Sequence, residues 1–330
     1  MGIPLSYFKL ARCQFVVRAE DWIHLPAYKG STFRGAFGHA FKKIVCVNRE
    51  KVCRSCLLRE KCIYSYVFET PPRSDTSKMR KYPFAPHPFV ITPPLEEKRI
   101  YKQNDTLCFE LTLIGKSIDF LPYFIYTFDE LGWMGIGKGK GKYRLEEVRT
   151  FAIDESSKVK GERKETQRDE EPRTIYSGKD KTLKNNFRVL KFDDLAPPNH
   201  LTSTLDLRFM TPTRLKFDGN LSPKPEFHIL IRNLLRRISL LSYFHCGEEL
   251  DLDFKNLIEK AKDVRVQKED LRWSDWERYS NRQETKMRMD GFIGSIRFEG
   301  SFEPFIPFLL LGEYVHVGKG TSFGLGNMKS

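Results

Sequence analysis

Two stretches about half the chain apart in these 330 residues carry the same pattern. Around Leu131, LGWMGIGKGKGKY reads as a helix end, a short strand-like run and then Ile136-Gly137-Lys138-Gly139. Around Leu311, LGEYVHVGKGTSFGLG reads as a helix end, a strand-like run from Glu313 to Val317, and then Val317-Gly318-Lys319-Gly320. A repeated order of helix, glycine, strand and GKG predicts a duplicated domain. Glycine serves where the backbone takes positive φ or another backbone comes close, and such loops can cradle phosphates through their amides. Gly318, Gly320, Gly324, Gly326 and Lys319 are therefore candidate anion contacts.

Each half reads as strand–helix–strand–strand–helix–strand, the split order of a ferredoxin-like unit. In the first half the elements are a strand from Tyr7, a helix with the apolar stripe Phe33, Phe37, Ala40, Phe41 and Ile44, and strands at Phe89 and Leu107. A helix from Ile118 and a strand near Tyr143 complete it. In the second half they are a strand at Leu205, a helix from Phe227 to Phe244, a weaker helical segment from Leu250 to Val264, and a long hairpin across Trp273 to Gly300. A short helix from Phe302 and final strands around Val315 follow. The expected class is α+β, with two tandem ferredoxin-like (RRM-like) domains at 1–150 and 201–330. Between them, 151–200 is dense in both signs of charge and reads as a linker or insertion.

Lysine and arginine number 56 against 43 acidic residues, a formal charge of +13. That balance points to a polyanionic partner, nucleic acid or an acidic membrane surface. No apolar run is long enough to span a bilayer, and MGIPLSYFKLARC lacks the order of a signal peptide, so a cytoplasmic protein is expected. In the second half Trp276, Arg278, Tyr279, Arg282, Lys286 and Arg288 form a basic and aromatic ladder, from which Arg278 and Arg282 are candidate contacts to such a partner.

The first helix, opening near Ser31 as N-cap, sets Gly35, Gly38, His39 and Lys42 opposite its apolar stripe. Each glycine costs the helix about 1 kcal/mol against alanine, a sacrifice suited to a face that something else approaches. Directly after it come Cys46, Cys53, Cys56 and Cys62, in the spacing C-x6-C-x2-C-x5-C with five basic residues around them. In a cytosolic chain this cluster suggests a structural zinc ion or, alternatively, an iron–sulfur cluster. Four thiolates leave no open position, so the metal belongs to the scaffold of a small Cys-rich insertion at 46–62. Cys13, Cys108 and Cys246 stand alone in apolar contexts and read as buried.

Three pieces together resemble the CRISPR-associated RNA-processing endoribonucleases, the "Cas six" family of the RAMP superfamily. They are HVGKGTSFGLG, the block WERYSNRQETKMRMDGFIGSIRFEG with the FLLLGEY helix end, and KGSTFRGAFGHAFKK with the cysteine cluster and YSYVFET. The resemblance implies antiviral defence by metal-independent cleavage of CRISPR precursor RNA within its repeats. The ribose 2′-OH attacks, leaving a 2′,3′-cyclic phosphate and a 5′-OH. It carries catalytic roles onto His39, Lys42 and Tyr28, with His316 as the rival histidine, and RNA contacts onto Arg34, Arg278, Arg282, Lys319 and the glycine loop. No cofactor is implied for catalysis. The implied partners are CRISPR repeat RNA or crRNA and other effector-complex proteins, the chain being a monomer or homodimer. The alternative is a non-catalytic RAMP subunit that binds guide RNA.

Overall fold

The computed structural model describes residues 5–48, 52–72, 76, 78, 84–151, 172–184, 187–195, 203–280 and 285–330. The first half consists of β1 (Lys9–Ala19), α1 (Gly30–Val45), β2 (Phe89–Thr92), β3 (Thr106–Ile114), α2 (Leu121–Met134) and β4 (Tyr143–Phe151), extended by β5 (Pro172–Ser177). Its sheet runs β2-β3-β1-β4-β5, all pairs antiparallel. The second half has β6 (Thr204–Thr213), α3 (Phe227–Leu241), α4 (Phe254–Lys262), β7 (Arg265–Ser274), β8 (Glu277–Ser280), β9 (Thr285–Arg288), β10 (Gly291–Glu299), α5 (Ile306–Val315) and β11 (Met328–Lys329). Its main sheet runs β7-β10-β6-β11, and β8 with β9 forms a separate hairpin. Both sheets therefore have the first strand of their half at the centre, between the third and the fourth. The molecule is an α+β protein of two such halves.

Alternation along β1 builds the first core. Ala11, Cys13, Phe15 and Val17 are buried on one face, and there Phe15 stacks on Phe109 at 5.0 Å. The apolar stripe of α1 lands on the same face, with Phe37 at 5.0 Å from Phe124 and 4.8 Å from Phe128 of α2. The second core packs α3 and α5 on β6 and β10, with Phe227 5.1 Å from both Phe298 and Phe305. Leu5, Phe8, Leu10 and Ile114, early in the chain or on β3, belong to this second core. The back face of the first sheet thus meets the C-terminal half.

Several expectations are corrected. Glu313 to Val315 is helical, not strand, because α5 runs to Val315 and His316 ends it with φ +60. The fourth strand of the second half is Met328–Lys329. The hairpin expected across Trp273 to Gly300 is preceded by β7, whose exposed, mostly polar residues hide a strand that begins at Arg265. Helix α1 opens at Gly30 after Lys29, so Ser31 lies inside it and is no cap. Cys108 is exposed, not buried, since it sits on the back face of β3. Within the charged 151–200 segment, β5 pairs with β4 because Ile175 and Tyr176 supply two buried apolar side chains. Residues 152–171, 185–186 and 196–200 of that expected linker lie outside the described residues.

Candidate active site and nucleic-acid interface

Successive turns divide the polar side of α1 into two flanks. Gly35, His39 and Lys43 are exposed together, and His39 and Lys43 stand at the i, i+4 spacing that makes neighbours on a helix. Gly38 and Lys42 belong to the other flank, which the single π-helical turn Ser65–Glu69 and the residue before it cover. A Cβ on Gly38 would come 2.7 Å from the Phe68 ring. Lys42 lies over the Tyr64 ring at 5.2 Å, beside the Cys53 thiol. The glycine that looked like an opening for a ligand is thus a seat for Phe68, and Lys42 does not share the flank of His39.

The glycine-rich loop docks onto the start of α1. The two GKG copies begin alike: Lys138 N–H donates to His24 O at 2.9 Å, and Lys319 N–H donates to Arg214 O at 3.0 Å. Each closes alike too, Ile136 N–H on Gly141 O and Val317 N–H on Gly326 O, both at 2.9 Å. Between Gly320 (φ +78) and Gly326 the second copy makes an excursion through the 3-10 turn Thr321–Phe323 and Gly324. That excursion packs against α1 and β2. The Tyr28 hydroxyl donates to Phe323 O at 2.8 Å, and its ring meets Trp276 edge-on at 4.7 Å. Burial holds the Tyr28 phenol well above its usual pKa, so it is a fixed donor. The Arg34 guanidinium sits between the Phe68 and Phe323 rings, 4.7 and 4.9 Å from their centroids, and 3.2 Å from His87 Nε2. Gly30 has no room for a side chain, because a Cβ there would collide with Phe323 O. Tyr28 and Arg34 therefore join the two halves.

His316 is 2 % exposed. Its Nδ1 donates to Leu325 O at 3.1 Å, which leaves Nε2 to accept from the Thr92 hydroxyl at 3.4 Å. Burial, joined by the cations Arg237, Lys329 and Arg12 and opposed by the hydrogen bond to Leu325 O, pushes its pKa down to about 3. It borders a cleft of about 270 Å³ on the back face of the first sheet, where Arg12 pairs with Glu110 and Lys329 with Glu313. The structure does not bring His316 together with His39.

Lys319 is exposed at the tip of its loop. Burial of its stem, then Lys216, Arg214 and Arg236, push its pKa down. Those neighbouring charges are all positive, an arrangement that an anion relieves. Arg214 was missed: in the basic stretch TPTRLKFDG it takes the place that His24 has beside the first GKG copy, a contact between distant segments that no local pattern reports. Lys43 was missed although its spacing from His39 was legible. Arg278 lies on β8, and its side chain, like all of Arg282, is outside the described residues. Cys46, Cys53, Cys56 and Cys62 line one small cavity beside α1. Among the described residues no group of three or more His, Cys, Asp or Glu side chains is arranged to hold a metal ion as it stands. No helix among them is long and apolar enough to cross a membrane.

A family model described as CRISPR-associated endoribonuclease Cas6 matches residues 207–328, and the AF_1859_N model, an N-terminal domain, matches residues 8–186. An uncharacterized protein of Archaeoglobus fulgidus is 24% identical over 310 residues, covering 92% of this chain and 91% of that protein. Among solved structures, a Cas6 product complex is similar with TM-score 0.56 at 18% identity, covering 97% of this chain and 98% of that one. Thermus thermophilus Cas6 gives 0.53 at 16% identity with the same coverage. A partial Cas6-RT-Cas1–Cas2 complex gives 0.56 at 11% identity, covering 100% of this chain and 47% of that one. At these identities the structural likeness establishes the fold.

Proposed function

This chain belongs to the Cas6 family of CRISPR-associated endoribonucleases, and on that premise we propose that it cuts CRISPR precursor RNA within the repeats without a metal ion. We read its two halves as ferredoxin-like domains, the first extended by β5. In the reaction the ribose 2′-O⁻ forms a bond to the adjacent phosphorus as the P–O5′ bond breaks. One proton leaves the 2′-OH and one arrives on the 5′-oxygen, giving a 2′,3′-cyclic phosphate and a 5′-OH. His39 is the residue we assign to this proton traffic, and Lys43, its neighbour one turn on, to the charge of the phosphorane. Lys42, held over Tyr64, serves the scaffold. Lys319 with Lys216, Arg214 and Arg236 holds RNA phosphates. Other CRISPR proteins are proposed as assembly partners on the strength of the fold this chain shares with part of a Cas6-RT-Cas1–Cas2 structure.

The observation that carries this reading is an exposed histidine beside a lysine on the open flank of α1, in a chain whose C-terminal half matches the Cas6 model. Labelled repeat RNA in EDTA tests it. His39→Ala is expected to cut ~10²–10⁴-fold more slowly with unchanged RNA affinity, and Lys43→Ala to lose more rate than Lys42→Ala. Tight binding by wild type without any cutting would instead support a guide-RNA-binding subunit.

A further inference from the structure

We propose that Cys46, Cys53, Cys56 and Cys62 bind one zinc ion that fastens the segment after α1 onto that helix. All four thiols are free, half-buried and on the wall of a single cavity, with Arg59 and Tyr64 beside them. The cavity is about 20 Å³. That is room for one water-sized occupant, a size that suits a single ion. Asn48 already ties two of the sulfurs together: Cys46 Sγ donates to Asn48 O at 3.6 Å, and Asn48 Nδ2 donates to Cys56 Sγ at 3.6 Å.

Among the described residues the segment is held by turn hydrogen bonds such as Arg59 N–H to Cys56 O at 3.0 Å and Lys61 N–H to Leu58 O at 3.0 Å, with little apolar packing before Ile63. Val47, Val52, Leu57 and Leu58 are 79%, 50%, 97% and 45% exposed, so its apolar residues build no core. Short pieces without a core need a staple, and a structural metal supplies one. The two ends of the segment are the points worth joining. Cys46 closes α1 through its N–H to Lys42 O at 3.0 Å, and Cys62 O accepts from Tyr66 N–H at 2.9 Å where the π-helical turn starts. That turn delivers Tyr64 to Lys42 and Phe68 to Gly38. Binding exchanges four S–H bonds for four Zn–S bonds and releases four protons, with no electron transferred. The resulting centre carries two negative charges, and Lys42 and Arg59 are the cations beside it.

Metal analysis of the full-length protein, purified without chelator, tests the proposal without RNA and so stands apart from the cleavage reading. The expected result is about one zinc per chain, lost in Cys53→Ser/Cys56→Ser and kept in Cys108→Ser, whose cysteine lies elsewhere. Thiol titration of unmutated protein is the second measurement. Four thiols should react slowly until zinc is stripped, while Cys108 reacts at once. Several results overturn the proposal. They are no zinc after reconstitution with all four thiols as reactive as Cys108, full zinc content in the double variant, and bound iron with sulfide and visible absorbance.

Discussion

A histidine moves protons near neutral pH only where its charged form is tolerated and water or substrate can reach it. His39 is open to water and substrate on the surface of α1, whereas His316 is sealed between Leu325 O and the Thr92 hydroxyl with its pKa pushed down to about 3. The same distinction applies to Tyr28, which the sequence made a catalytic candidate and whose hydroxyl serves Phe323 O. Replacing it with phenylalanine leaves a buried carbonyl short of a donor. Tyr28→Phe is expected to lower unfolding free energy by about 1–3 kcal/mol in urea titration while cleavage per folded molecule stays within a few-fold. A proton-transfer role would give the opposite pair of results. The exposure of His39 was legible because helical periodicity alone fixes which residues oppose Phe33, Phe37 and Phe41. The burial of His316 was not, because alternation was read into residues that are the last turn of α5. Tyr28 and Arg34 owe their roles to Phe323, almost three hundred residues away in sequence, and no local pattern reports that contact.

Helix–strand order and sheet topology were written in periodicity and in the repeat, so both halves could be outlined before any coordinate was known. The purpose of the glycines was not, since sequence cannot say whether a phosphate or a backbone comes close. At Gly318 (φ +82) it is a backbone: a Cβ would collide with Arg214 O, the acceptor of Lys319 N–H. Gly139 in the first copy has the same conformation (φ +83) with open space around it. The pair separates strain from contact. Gly139→Ala is expected to cost about 1–2 kcal/mol for left-handed backbone alone, and Gly318→Ala roughly twice as much, measured by chemical denaturation. Equal costs would mean that the Arg214 contact yields freely. β5 was missed for a related reason. Two apolar residues in a charged run form a poor pattern, but they suffice where β4 already offers an edge.

The seam between the halves contains a second sealed histidine. His245, in the π-helical turn Ser242–Cys246 that follows α3, has Nε2 donating to Pro86 O at 2.8 Å and Nδ1 accepting from the Tyr66 hydroxyl at 3.0 Å. Burial pushes its pKa down to about 4, helped by Arg237. Arg237 also acts on His316, and burial has brought its own pKa down to about 9. Both histidines are neutral when folded and take up protons near pH 6.5 when unfolded. The unfolded chain therefore binds more protons below that pH, and stability falls as pH drops from about 6.5 toward 4. Each histidine contributes a slope of up to about 1.4 kcal/mol per pH unit in that window. Thermal denaturation across pH 7 to 4 is the measurement. His245→Gln should be less stable at pH 7 and show a shallower loss on acidification.

Leu5, Phe8 and Leu10 lie in a core that, apart from Ile114 and Leu190, is made of residues from Leu207 onward. A ribosome releases the first of these about 200 residues before Leu207, where the bulk of that core begins. At 5–20 residues per second that is a wait of roughly 10–40 s. During it the first half can close its own core of Phe15, Phe37 and Phe128 while carrying an uncovered apolar edge. The nascent chain is therefore a customer for holding chaperones, and the first half released alone would be a sticky fragment. The order of synthesis makes the last residues, Val315 to Met328, the ones that finish the first.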